Sequence, residues 1–277
     1  MKKRFKIVAV LLTFILVIGS LVSCGSKEDS NKSSIQSIKD RGTIKIGVFS
    51  DKPPFGYVDS DGKNQGYDVE IGKKIAKDLL GDESKVEFVL VEAASRVEFL
   101  QSNKVDMILA NFTVTDERKE KVDFANPYMK VSLGIVSKGG TITDVSQLKG
   151  KKLIVNKGTT AESYFAKNYP DIELLKFDQN TEAFEALKDG RGDALAHDNT
   201  LVLAWARENS AFQVGVKTLG DQDVIAPAVK KGDEELLNWT NDEIKKLGSE
   251  GLIKEAYNKT LKPAYGDTID SKDIIIE

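Results

Sequence analysis

Cysteine and histidine are almost missing from this chain. Its 277 residues include one cysteine, Cys24, and one histidine, His197. A lone cysteine has no disulfide partner within the chain. A lone histidine with no second histidine or cysteine near it reads as a hydrogen-bonded structural imidazole rather than a metal ligand, and no metal or other cofactor is expected. An excess of either charge is also missing. With 40 Lys+Arg against 43 Asp+Glu, the formal net charge is -3. No basic surplus is available to neutralise phosphates, which argues against a nucleic-acid groove. The longest apolar run near the start, Ile7 to Ile18, is short for a membrane span. What remains is 40% hydrophobic residues, enough for a sizeable core in one large or two medium domains.

The N-terminus is set apart from that core. Lys2, Lys3, Arg4 and Lys6 precede the apolar run, and Leu21-Val22-Ser23-Cys24-Gly25 follows it. This pattern resembles the lipobox of bacterial lipoproteins, with residues 1–23 as signal peptide and Cys24 as the lipidated N-terminus. The alternative is a simple secretory signal with an incidental cysteine. Residues 24–37, polar from Ser26 to Ser34, read as a flexible tether.

From there, strand and helix patterns alternate. Ile44–Phe49, Val86–Val91 and Val105–Ala110 read as strands, with helical spacing from Tyr67 to Gly81 and again from Arg96 to Gln101. After the strand Val131–Ser137, Lys138-Gly139-Gly140 breaks the pattern and the alternation restarts. Strands are expected at Leu153–Asn156, Leu174–Phe177 and Ala194–Ala196, with helices at Ala161–Lys167, Thr181–Lys188 and Asn199–Glu208. A strand Val224–Val229 and helices Glu234–Leu247 and Gly251–Asn258 follow, and Ile269–Glu277 reads as a loose tail. Such alternation predicts an α/β fold with mainly parallel sheets and helices on their faces. There are two such units without a sequence repeat between them. Ligands in these sheets lie at the carboxyl ends of the strands.

That rule singles out Ala110 to Arg118. A buried strand ends, the chain turns polar, and Thr115, Asp116, Glu117 and Arg118 open a helix. Free backbone N–H groups, a hydroxyl and a guanidinium there would suit a small carboxylate. Equally, Arg118 could be a surface cation and Thr115 a plain cap.

Several segments in order tip the balance: Gly47 to Tyr57, Gly66-Tyr67-Asp68-Val69, Ala110 to Arg118, Val122-Asp123-Phe124 through Pro127-Tyr128, Asn156 to Thr160, and His197-Asp198-Asn199. Together they resemble the solute-binding lipoproteins of polar-amino-acid ABC importers, nearest to the branch that binds L-cysteine. The resemblance runs from about Ile38 to Glu277. It implies the periplasmic-binding-protein type II fold, two α/β lobes on a two-stranded hinge, with residues 38–136 plus 225–277 in one lobe and 137–224 in the other. It also implies site residues. Arg118 would grip the ligand α-carboxylate, helped by Thr113 and by a backbone N–H of Thr160 at a helix N-terminus. Asp198 would accept the ammonium, although by itself it reads as a helix cap. Arg96 would face the ligand side chain, with a surface salt bridge as its bland alternative. Phe49, Phe55, Tyr57 and Tyr128 would line the wall, unless the aromatics are plain core.

Acidic-ligand relatives place a lysine where this chain has Phe49, beside the cation matched by Arg96. Its loss disfavours a dianionic ligand and points to cysteine over aspartate or glutamate. The resemblance further implies a monomer outside the cytoplasm, tied to the membrane by lipid alone, delivering a free amino acid to an ABC permease and its ATPase. Two other classes stay open. One is a dehydratase on the same fold, which would need an acid or base at a reacting atom; no nucleophile–base pair is apparent. The other is a surface adhesin or sensor.

Overall fold

The computed structural model describes residues 34–277, apart from the side chain of Thr268. The proposed signal peptide, the acylation site Cys24 and most of the tether lie outside them. Strands are β1 (Ile44–Val48), β2 (Asp51–Lys52), β3 (Gly56–Val58), β4 (Asn64–Gln65), β5 (Val86–Leu90), β6 (Met107–Ile108), β7 (Val122–Phe124), β8 (Met129–Lys138), β9 (Lys152–Asn156), β10 (Glu173–Phe177), β11 (Ala194–Asp198), β12 (Phe212–Ile225) and β13 (Ala228–Lys230). Helices are α1 (Ser34–Arg41), α2 (Tyr67–Leu80), α3 (Arg96–Gln101), α4 (Asp116–Lys119), α5 (Thr160–Asn168), α6 (Asn180–Lys188), α7 (Asn199–Glu208), α8 (Glu234–Ser249), α9 (Leu252–Tyr265) and α10 (Ser271–Ile274).

The chain forms a two-lobed α/β fold around two five-stranded sheets. One has the order β5-β1-β6-β13-β7, the other β10-β9-β11-β8-β12. In each, three strands pair parallel, and one side is closed by two antiparallel pairings, so that only β13 in the first sheet and β8 in the second run against the rest. Helices cover both faces. α2 shows how the sequence does this: Val69, Ile71, Ile75, Ala76 and Leu79 are buried, and Gly81, left-handed at φ 84, stops the helix by donating its N–H to the Lys77 carbonyl. One apolar cluster holds Ile46, Ile71 and Ile75 of the first lobe and continues through Met129, Val136 and Leu201 into the second. The outer faces of the sheets carry separate clusters around Ile108 and Leu153.

β8 and β12 carry the chain between the lobes. They pair antiparallel from Met129↔Ile225 to Phe212↔Lys138, with three register shifts on the way. Much of β12 is missing from the sequence reading, which expects only a strand from Val224 to Val229. The chain breaks there at Ala226 and Pro227 before β13. The rest of β12 is polar because it is a sheet edge: Gln213, Lys217 and Asp221 are exposed. The two ends also differ from expectation. The tether stops short of residue 37, since α1 begins at Ser34, whose Oγ donates to Asp233 (2.6 Å), and Ile38 is buried. The tail is not loose. Ile274 and Ile275 are buried, Ile275 bridges Met129, and the Ile276 N–H donates to the Tyr128 carbonyl.

Because Ile275 fills a closed site against β8, Ile275→Ala should cost about 2–4 kcal/mol of stability. Urea unfolding of the two proteins measures this; a loss below about 0.5 kcal/mol would mean that the tail packs only loosely.

Candidate functional site

The carboxyl ends of β1, β6, β9 and β11 converge between the lobes. A small cavity there is lined by Phe49, Lys52, Ala93, Arg96, Asn111, Thr113, Arg118, Thr159, Thr160, His197 and Asp198. Of the residues expected from sequence, Arg118, Asp198, Thr113, Thr160, Arg96 and Phe49 are brought together. Phe55, Tyr57 and Tyr128 are not. Phe55 and Tyr128 are wholly buried in the core, and Tyr57 lines a different cavity with Pro53, Pro54 and Trp205. Tyr57 faces away because it sits on the short hairpin β2–β3, where side chains alternate between faces.

Arg118 enters on the single turn of α4. The Thr115 hydroxyl caps that turn by accepting the Arg118 N–H (3.2 Å). The cap reading of Thr115 is thus realised. The guanidinium donates from Nη1 to the Thr113 carbonyl (2.7 Å) and from Nη2 to Gly158 O (2.9 Å) in the other lobe. Arg96, 3% exposed, makes no salt bridge among the described residues. It donates from Nε to Ala93 O (2.9 Å), from Nη1 to the Ala110 and Asn111 carbonyls (3.0 and 3.4 Å), and from Nη2 to Gly158 O (3.1 Å). Both guanidiniums lie over the Phe112 ring, at 4.3 and 4.7 Å from its centre. The ring's negative face offsets part of their desolvation. Burial still lowers both arginines, Arg118 to about 10, and Arg96 further because Arg118 is beside it.

The second lobe contributes a helix start and a carboxylate. Thr159 caps α5: its hydroxyl accepts the Glu162 N–H (3.2 Å) and donates to Asn156 O (2.6 Å). Thr160 is then the first helical residue, where backbone N–H groups lack intrahelical partners. Asp198 precedes α7 but does not cap it with its side chain. Its Oδ2 accepts from Lys52 Nζ (2.7 Å) and Asn111 Nδ2 (2.7 Å). Burial alone would raise this carboxyl; the Lys52 ammonium together with the other groups bonded to it outweighs burial and holds it well below the usual carboxylate range. His197 is buried and pushed down by burial. Its Nδ1 accepts the Asp198 N–H (2.7 Å), so the ring is a neutral structural group.

Sequence reasoning missed Lys52, Asn111, Asp68 and Gly158. Lys52 sits on a hairpin, where lysine normally points to water; here it is 1% exposed. A cation is therefore present near the Phe49 position after all, with Nζ 5.1 Å from the Phe49 ring centre. That weakens the sequence argument against an acidic ligand. Asn111 adopts φ 44, unusual for a residue with a Cβ. It is held there by its N–H on Asp68 Oδ2 (2.8 Å) and its amide on Asp198, while its own Oδ1 is buried without a partner. Asp68 also accepts from the Tyr128 hydroxyl (2.6 Å). Gly158 has φ +72, and a Cβ there would stand 2.5 Å from the Cα of Ala94. Only glycine lets the two lobes meet at this point. A Gly between a strand and a helix cap was the one available signal.

The profile of the bacterial extracellular solute-binding proteins, family 3, matches residues 44–263. The chain belongs to that family, whose members work outside the cytoplasm. It is 60% identical to the solute receptor for L-cysteine of Neisseria gonorrhoeae, with TM-score 0.86 over 88% of this chain and 99% of that one. It is 58% identical to the cysteine-binding protein of Campylobacter jejuni, with TM-score 0.88 over 89% and 100% of the two chains. It is also 38% identical to the ABC transporter glutamine-binding protein GlnH of Bacillus subtilis, over 95% of this chain and 98% of that protein.

Burial raises the Asp68 carboxyl to about 7, against the pull of the Tyr128 hydroxyl and the Asn111 N–H. An acid raised on folding binds its proton more tightly in the folded state. Its contribution to stability is full below about pH 4 and is lost as pH climbs towards 7. Tyr128→Phe removes a bond that favours the charged form, so the Asp68 midpoint should move above 7. Carbon-13 titration of labelled aspartates reads this directly; an unchanged or lower midpoint would contradict the assignment.

Proposed function

We propose that this chain is the extracytoplasmic binding component of an amino-acid ABC importer and that its ligand is L-cysteine. One observation carries the reading. Arg96 and Arg118 make no ion pair among the described residues, and they line one cavity with Asp198 of the other lobe and with Asn111, whose Oδ1 is unpartnered. A guanidinium without a counter-ion suits an α-carboxylate. A carboxylate and an amide oxygen in the same cavity suit an α-ammonium. Thr113, Thr160 and Phe49 complete the pocket in this reading. The likeness at 60% and 58% identity to proteins named for cysteine supports the choice of side chain, against 38% to one named for glutamine.

In this reading, residues 38–136 with 225–277 form one lobe and 137–224 the other, closing about β8 and β12 to enclose the amino acid before delivery to the permease. The protein acts as a monomer, held at the membrane by acyl groups on Cys24. In this reading it binds without turnover, which relatives named as transporter binding proteins support. A second reading, an acidic amino acid as ligand, is favoured by the Lys52 ammonium alone.

A thermal-shift screen of the twenty amino acids separates these readings; the largest shift is expected with L-cysteine, and a larger one with aspartate, glutamate or glutamine would replace it. Arg118→Ala and Asp198→Ala should each weaken binding by about 2–5 kcal/mol, the usual cost of removing one partner of a buried charge pair. Calorimetry showing either variant within about threefold of the parent, under 0.7 kcal/mol, would refute that residue's role.

A further inference from the structure

The two arginines differ in what they have left to offer a ligand. A guanidinium has five N–H groups. Arg118 spends two, on Thr113 and Gly158, and keeps Nε–H and one on each terminal nitrogen. It can still fork a carboxylate. Arg96 spends four, on the carbonyls of Ala93, Ala110, Asn111 and Gly158. It has charge to give but no fork.

Charge is also in surplus. Lys52, Arg96 and Arg118 line the cavity against one carboxylate, Asp198. His197 is neutral. Asp68 stands behind Asn111, and Asp223, half-buried on β12, acts on Arg118 without forming an ion pair. The α-carboxylate and α-ammonium of an amino acid cancel each other, so a neutral side chain would leave the enclosed site positive. Buried unmatched charge is expensive. The side chain should therefore bring a negative charge to where Lys52 and Arg96 lie over the Phe49 ring, 5.1 and 5.6 Å from its centre. That wall offers a second carboxylate the remaining N–H groups of Lys52 and one of Arg96, but no planar fork. It suits a one-atom anion with little demand for hydrogen bonds.

We propose that cysteine is held as its thiolate, against Phe49 between Lys52 and Arg96. This rests on the cysteine reading above. The step is acid–base only: the S–H bond breaks heterolytically, sulfur keeps the electron pair, and the proton passes to a base in solution. Cysteine thiols ionise near pH 8.5, so about 3% are anionic at pH 7. Neighbouring cations favour the anion, as they do for reactive protein cysteines. Selection against serine then rests on charge, because the hydroxyl does not ionise.

The test is isothermal titration of the purified full chain with L-cysteine at pH 7, in buffers of different ionisation enthalpy. About one proton should be released per cysteine bound. An ultraviolet difference spectrum should show the thiolate band, and affinity should rise about tenfold per pH unit between 6 and 8. L-Aspartate, already an anion, should release no proton if it binds, which separates the thiol from Asp68 or His197 as the source. Cysteine binding with neither proton release nor a thiolate band overturns the proposal and leaves the cysteine assignment standing. No binding of cysteine overturns both.

Discussion

Lys52 and Asp198 meet at 2.7 Å with side chains 2% and 5% exposed. One comes from a hairpin after the first strand, the other from a strand end 146 residues later. Taking two such charges out of water costs several kcal/mol per ion, and only close pairing with further hydrogen bonds offsets that cost. Those bonds require the lobes together. Asn111 supplies one from the same lobe as Lys52. A second link, from Asp51 to the start of α6, lies beside it: Asp51 Oδ2 accepts the Asn180 N–H (2.6 Å) and Oδ1 the Asn180 side-chain amide (2.9 Å). The burial of the hairpin rests on this ion pair, and the approach of the lobes is shared between it, the Asp51 link and the Gly158 carbonyl.

The arginines are held by a different device. Backbone carbonyls fix both guanidiniums in place, with Gly158 O shared between them. A carbonyl orients a cation without neutralising it, whereas a carboxylate would do both. Positive potential therefore remains available to whatever enters, and the donors are already aimed. Preorganisation of this kind reduces the ordering cost of binding a small ligand. The same arrangement explains why a glycine stands at 158. Its carbonyl can reach two arginines only if its own Cα comes up against Ala94, where a side chain would not fit.

Much of the fold was legible because strand and helix periods alternate cleanly. α3 and α7 lie where spacing puts them, and β5, β9 and β10 differ by one residue at an end. What failed to show was set by contacts distant in sequence. β12 is polar because an edge strand needs apolar residues on few positions. β6 is shorter than its apolar run, since Asn111 turns out of the ladder to reach Asp68. In the cavity lining, Arg118 and Asp198 were legible through family resemblance, not through local pattern, which reads the first as a surface cation and the second as a helix cap. Lys52 was illegible for a physical reason. Nothing within its own hairpin marks it as buried; its counter-ion arrives from the other lobe.

Asp68 joins the pocket to the strand that crosses between lobes. One carboxylate oxygen accepts from Asn111 in the cavity wall, the other from Tyr128. Tyr128 directly precedes β8; its N–H donates to Ile225 O at the end of β12, and its carbonyl accepts from Ile276. Leaving either buried partner unsatisfied would cost about 1–3 kcal/mol. A shift of Asn111 is therefore opposed by the same carboxylate that anchors the start of the crossing strand. This is a contiguous chain of hydrogen bonds from the cavity wall to the crossing strand. Tyr128, expected in the wall of the pocket, stands one layer behind it, where it ties the wall to the crossing strand.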